Sequence, residues 1–198
     1  MDSLLIVLFF IGGLALSLSD WLPTILLEHD FTIYALWLLM ALLGLSLGAD
    51  RKFAEILRSL RLRLLLLPLA TTVGTFLGAC LGAYFLVWTV SDCLAIGAGF
   101  AYYSLSSVFI TQYKGADLGA AALLCNVFRE LFTLLFTPLL IKFFGPPAAI
   151  SSGGATTMDT TLPIIAKSAG PQWVFPAILH AMILDFSVPF WVTLFCSL

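Results

Sequence analysis

The chain has 198 residues, of which 61% are hydrophobic and only 10% charged, and its formal net charge is -2. That balance cannot clothe a soluble domain in water-facing side chains, and it gives no electrostatic reason to expect nucleic acid. It points instead to an all-α polytopic membrane protein, one domain over residues 1–198 without a long linker or low-complexity tail.

Windows of about 20 mostly apolar residues, enough to cross a hydrocarbon core, recur along the chain. The first covers 3–19, and Asp2 stands where a secretory leader carries basic residues, which favours a membrane helix over a cleaved signal. An acidic loop, SDWLPTILLEHD at 19–30, leads to a second predicted span at 31–49. Next comes DRKFAEILRSLRLR at 50–63, which holds Arg51, Lys52, Arg58, Arg61 and Arg63, five of the nine basic residues. The positive-inside rule assigns this loop to the cytoplasm, with the amino terminus inside, the acidic loop outside and the carboxyl terminus outside. Further spans are predicted at 63–88, 117–144 and 172–196, about five in all. Residues 1–90 read as scaffold, and 91–144 and 148–196 as two repeat units.

Two apolar stretches, 91–113 and 148–167, are interrupted by Gly, Ser, Thr and Tyr and read as re-entrant or broken helices. Backbone that departs from a helix inside a membrane must be satisfied by protein or by a watery cavity, so such breaks tend to be sites. If both fold back, the two units form an inverted repeat, the arrangement in which transporters hold substrate between broken elements. If both cross, only the side of Lys142 changes. For Gly97, Gly99, Ser106 and Ser107, close helix packing is an equal alternative. Packing does not account for SGGATTMDTTLPI at 152–164. An intramembrane Asp costs about 3 kcal/mol on insertion scales and marks a function or a partner. Gly153 and Gly154 allow close backbone approach, and the threonines around Asp159, among them Thr156, Thr157 and Thr160, are expected to donate hydroxyls to it as a cation or proton site.

Between the two breaks, Asn126, Arg129 and Glu130 share one helix, with Asn126 and Glu130 four residues apart. Either an Arg129–Glu130 network locks helices together, or these residues meet the substrate. His180 is read as a proton relay or as a histidine satisfied by a hydroxyl, and its five-residue spacing from Asp185 argues against a joint site. Tyr102 and Tyr103 are an interfacial pair or include one cavity residue. Cys80, Cys93, Cys125 and Cys196 lack metal or redox spacing, and no HExxH, P-loop or GxSxG motif occurs, so no metal, cofactor or enzyme chemistry is expected.

GAGFAYYSLSSVFITQ, NVFREL, GGATTMDTTLPII and AILHAMIL, in this order and spacing, resemble the lysine exporters of the LysO type from about residue 4 onward. The resemblance implies a bacterial or archaeal cytoplasmic-membrane transporter that exports L-lysine and its analogues, by exchange for protons or driven by the membrane potential. It carries the pattern onto Tyr103, Ser104, Ser106, Asn126, Arg129, Glu130, Thr156 to Asp159 and His180, whereas Asp185 stands where a small hydroxyl residue is expected. Members of full length extend about a hundred residues, or about three helices, further at the amino terminus. A small membrane protein supplying those helices, or a homodimer, is therefore expected. Export of another cationic solute, cation/proton antiport and a non-transporting assembly role are the alternatives. An intramembrane aspartyl protease would need a second carboxylate in a matching motif.

Overall fold

The computed structural model describes residues 62–198, with side chains from Leu65 onward, together with positions 11, 12, 15, 34, 38, 41 and 45. The chain divides into two units, Met1–Glu55 and Ile56–Leu198. The described positions of the first unit are all helical and fall within the predicted spans 3–19 and 31–49. The remainder of those spans, and of the basic loop up to residue 61, lies outside the described residues.

In the second unit every described regular element is helical: α1 Leu62–Ala83, α2 Val90–Gly97, α3 Tyr103–Lys114, α4 Ala116–Phe144, α5 Pro146–Gly153, α6 Leu162–Ala169 and α7 Val174–Cys196, with 3-10 turns at Gly154–Met158 and Pro171–Trp173. Among the described residues, three stretches are long and apolar enough to cross a membrane: Leu65–Ala83, Ala116–Phe144 and Pro171–Cys196. They fall on the predicted spans 63–88, 117–144 and 172–196. The first ends earlier than predicted because its last turn tightens, the N–H groups of Tyr84 and Phe85 reaching back to Leu81 and Gly82 carbonyls at 3.3 and 3.0 Å. Leu66, Leu69, Val73 and Leu77 are exposed on α1, as suits a helix whose solvent is acyl chain.

The two interrupted stretches are both helical hairpins. In the first, a salt bridge of 3.4 Å between Asp92 at the start of α2 and Lys114 at the end of α3 holds the two ends together. Asp92 also closes a capping box with Thr89, each accepting from the other's backbone N–H at 3.2 Å. Gly115, with φ of 98°, then turns the chain from α3 into α4. In the second hairpin, Ala149 and Ile150 of α5 and Ile165 of α6 share a buried cluster with Ala177 of α7, flanked by Leu140 and Ile141 near the end of α4. The first hairpin therefore opens at the start of α4 and the second at its far end.

Candidate functional site

The hairpin tips meet. The first tip, residues 98–102, puts two non-glycine residues at positive φ, Phe100 at 45° and Ala101 at 71°. Such strain persists only where the surroundings over-determine it. Asn126 of α4 supplies that constraint: its side-chain oxygen accepts from the Ala101 N–H at 2.7 Å, while its amide donates to the carbonyls of Ile96 at 3.1 Å and Ala122 at 2.9 Å. One buried side chain thus replaces helical bonds that the break removes. Gly99 is required here, because a Cβ would stand 2.5 Å from the Asn126 amide and 2.7 Å from the Ser106 hydroxyl. Ser106 in turn donates to the Tyr102 carbonyl at 2.8 Å. The Phe100 ring lies between Phe76, at 5.8 Å, and the Arg129 guanidinium, at 5.8 Å from its centroid.

The second tip spans 154–161. Gly154 has φ of 61°, and any Cβ there would run into the Phe100 carbonyl. That closeness lets the next residue, Ala155, donate its N–H to the same carbonyl at 2.8 Å, joining one break to the other. Arg129 holds the arm leading in, with Nε and Nη2 donating to the carbonyls of Ser152 and Ser151 at 2.9 Å each and Nη1 reaching the Thr75 hydroxyl at 3.3 Å. Asn126 and Arg129, three residues apart on α4, therefore serve one hairpin each.

Asp159 emerges exposed at the end of the 3-10 turn. Its carboxylate accepts from the Thr160 N–H and, at 3.3 Å, from the Thr160 hydroxyl. The expected ring of threonine donors is otherwise turned elsewhere. Thr156 donates to the Gly153 carbonyl at 2.8 Å and lies 3.3 Å from the Thr161 hydroxyl. Thr157 shares its proton between the carbonyls of Gly154 and Ala177 at 2.8 and 3.0 Å. The reason is that a 3-10 turn in apolar surroundings leaves carbonyls that the nearest hydroxyls must satisfy. Gly153 packs against Thr133, Thr157 and Thr161, and Gly97 against Thr75 and Ala79 on α1.

An Arg129–Glu130 network does not form. Consecutive helical residues point about 100° apart, and Arg129 reaches across to α5 while Glu130 makes no ion pair or hydrogen bond among the described residues. His180 is buried, with Nε2 2.9 Å from the Thr71 hydroxyl and Nδ1 without a well-formed hydrogen bond, the Gly154 backbone being the polar group facing the ring. Tyr103 is half-buried and Ser104 exposed at the start of α3. Cys93 and Cys196 are buried packing residues, but Cys80 and Cys125 are exposed. Asp185, set apart in the sequence by its spacing from His180, is half-buried on α7. Thr71 and Thr75, which serve His180 and Arg129 from α1, carry no signal in a single sequence.

Apolar spans around two broken hairpins, with a carboxylate at one tip and buried polar groups holding both, define a multi-pass membrane protein with a polar centre. Known proteins make the assignment narrower. The family model described as lysine exporter LysO matches residues 7–196, and the chain belongs to that family. It is 31% identical over 189 residues to the lysine exporter LysO of Escherichia coli (strain K12), a match covering 93% of this chain and 61% of that protein. A Haemophilus influenzae protein described as a candidate lysine exporter is also 31% identical, over 180 residues, covering 90% of this chain and 89% of its own length. The chain thus spans about three-fifths of the Escherichia coli relative. No solved structure matches it.

Proposed function

We propose that the chain is the substrate-handling part of a transporter that exports L-lysine from the cytoplasm in exchange for protons. The observation that carries this reading is the bonded pair of hairpin tips with an exposed carboxylate, Asp159, on the second. In the membrane the hairpins are re-entrant, the first from outside and the second from inside, and α4 and α7 complete an inverted repeat. Asp159 pairs with an ammonium group when ionised and releases it on taking up a proton, so that proton entry drives lysine exit. Thr160 orients that carboxylate, and Tyr102, Tyr103 and Ser104 are accessible polar groups at or beside the first tip. His180, buried and bonded to the Thr71 hydroxyl, fits the reading of a histidine satisfied by a hydroxyl, bracing α7 against α1. The names of the relatives support lysine as substrate.

The test is reconstitution in liposomes loaded with labelled lysine, with and without an inward proton gradient. Efflux that rises with the gradient is the expected result. Efflux driven by a sodium gradient alone, or of another cation in preference to lysine, would replace this reading with a cation antiporter.

A further inference from the structure

A cavity of about 310 Å³ lies beside the first hairpin, between α1, α2 and α4. Its size falls within the roughly 300–1,000 Å³ of small-molecule sites. Gly78 of α1, Gly97 of α2 and Cys125 of α4 are among its mostly apolar lining, and Arg129 and Asn126 provide the charged and polar part. Arg129 is the informative residue. A guanidinium has five N–H donors. Nε, one N–H of Nη1 and one of Nη2 go to Ser152, Thr75 and Ser151, which leaves one N–H on each Nη nitrogen. Every partner is neutral, and the ion pair formed among the described residues is elsewhere, between Lys114 and Asp92. A guanidinium held in apolar surroundings without a counter-charge is costly, and two spare donors in a fork are matched to a carboxylate.

We propose that this cavity is a carboxylate-binding site in which Arg129 receives the main-chain carboxylate of the exported amino acid, whose aliphatic chain lies along the apolar wall. This rests on the export reading and deepens it: it assigns the anionic end of the solute to Arg129 on α4, separately from the ammonium chemistry proposed for the second tip. Because Arg129 also ties down Ser151 and Ser152, a bound carboxylate is reported to the hairpin that carries Asp159. An anionic lipid headgroup is the competing source of the same charge.

The experiment uses the whole protein in zwitterionic-lipid nanodiscs and follows maleimide labelling of Cys125, which lines the cavity, against exposed Cys80, which does not. L-lysine and 6-aminohexanoate, which carry a carboxylate, should protect Cys125. Lysinamide and 1,5-diaminopentane, which lack one, should protect at least about tenfold more weakly. Arg129→Gln should erase that difference. Because it also loosens the second hairpin, Gly78→Leu serves as the second variant: a Cβ at Gly78 meets nothing within 4 Å, so the side chain can fill the cavity without disturbing the tips. It too should abolish protection. Equal protection by all four compounds, or protection by anionic lipid but by none of them, overturns the proposal while leaving export intact. Carboxylate-dependent protection in a protein that moves no lysine upholds the site and overturns the export reading.

Discussion

The first hairpin turns through residues 98–102 with two strained non-glycine residues and no charge, whereas the second turns through 154–161 with a glycine, four threonines and a carboxylate. The first is fully enclosed at Ala98 to Ala101, and one side chain, Asn126, sets it. The second is tied down at its arm by Arg129 and at its turn by threonine hydroxyls, but ends in accessible Asp159 and Thr160. The contrast teaches a division of labour: one tip is a fixed abutment, and the other presents chemistry against it. They are joined by a single backbone bond from Ala155 to Phe100.

If this division is right, substitutions at the two tips fail in different ways. Asp159→Asn should reduce lysine efflux more than about a hundredfold while the protein still inserts and melts normally, since shape and hydrogen bonding are kept and only charge and proton are lost. Vesicle efflux beside a thermal scan reads both, and normal efflux would end the role assigned to Asp159. Asn126→Leu should do the reverse, costing about 1–3 kcal/mol because the Ala101 N–H is left buried and unpaired, while the Ile96 carbonyl keeps the Gly99 N–H at 3.2 Å. Denaturant titration in micelles measures it, and a change below 1 kcal/mol would mean the first tip is not held as described.

Gly154→Ala probes the junction. With left-handed φ and a carbonyl where the Cβ must go, it should cost about 1–3 kcal/mol and slow efflux, since the tips must part. A stable, fully active alanine variant would show that they need not touch. At the mouth of the first hairpin the effect is smaller. The Thr89 hydroxyl, helped by the Thr89 N–H and by Lys114, holds the Asp92 carboxyl below its ordinary range. A carboxylate with a depressed folded pKa stabilises above its unfolded pKa of about 3.9 and loses that contribution as pH falls through the folded value. Asp92→Asn should therefore lower stability by under about 1 kcal/mol at neutral pH and converge with the parent in acid. A difference that grows on acidification would contradict the capping role. Glu130→Gln should be the mildest, within about 0.5 kcal/mol in a thermal scan, because Arg129 does not depend on it. A stable variant that has lost transport would make Glu130 a site residue.

Much of the fold is legible in hydropathy alone, because α1, α4 and α7 must each present an apolar surface over a membrane's thickness. The breaks are legible too, since Gly99 and the Gly153–Gly154 pair interrupt apolar windows with residues that a lipid-facing helix does not need. What local sequence cannot carry is pairing at a distance. Fold-back depends on Asp92 finding Lys114, His180 on Thr71 across 109 positions, and Arg129 on carbonyls 22 and 23 positions away. The absence of an Arg129–Glu130 network, one of the two readings open in the sequence, has the same origin: neighbours in sequence point apart on a helix. The threonines near Asp159 were visible, but their competing obligation to the 3-10 turn was not.

The length of α4 carries one more consequence. It has 29 residues, and its terminal charges, Asp117 and Lys142, are both exposed. At 1.5 Å per residue they stand about 38 Å apart along the axis, more than a hydrocarbon core of about 30 Å and slightly less than the 40–45 Å of a whole bilayer. Both charges thus reach headgroups when the helix stands upright. A thinner bilayer obliges it to lean. Since Asn126 and Arg129 ride on this helix and each holds a hairpin, leaning carries both tips with it, and acyl-chain length becomes a mechanical setting of where the tips sit in the membrane.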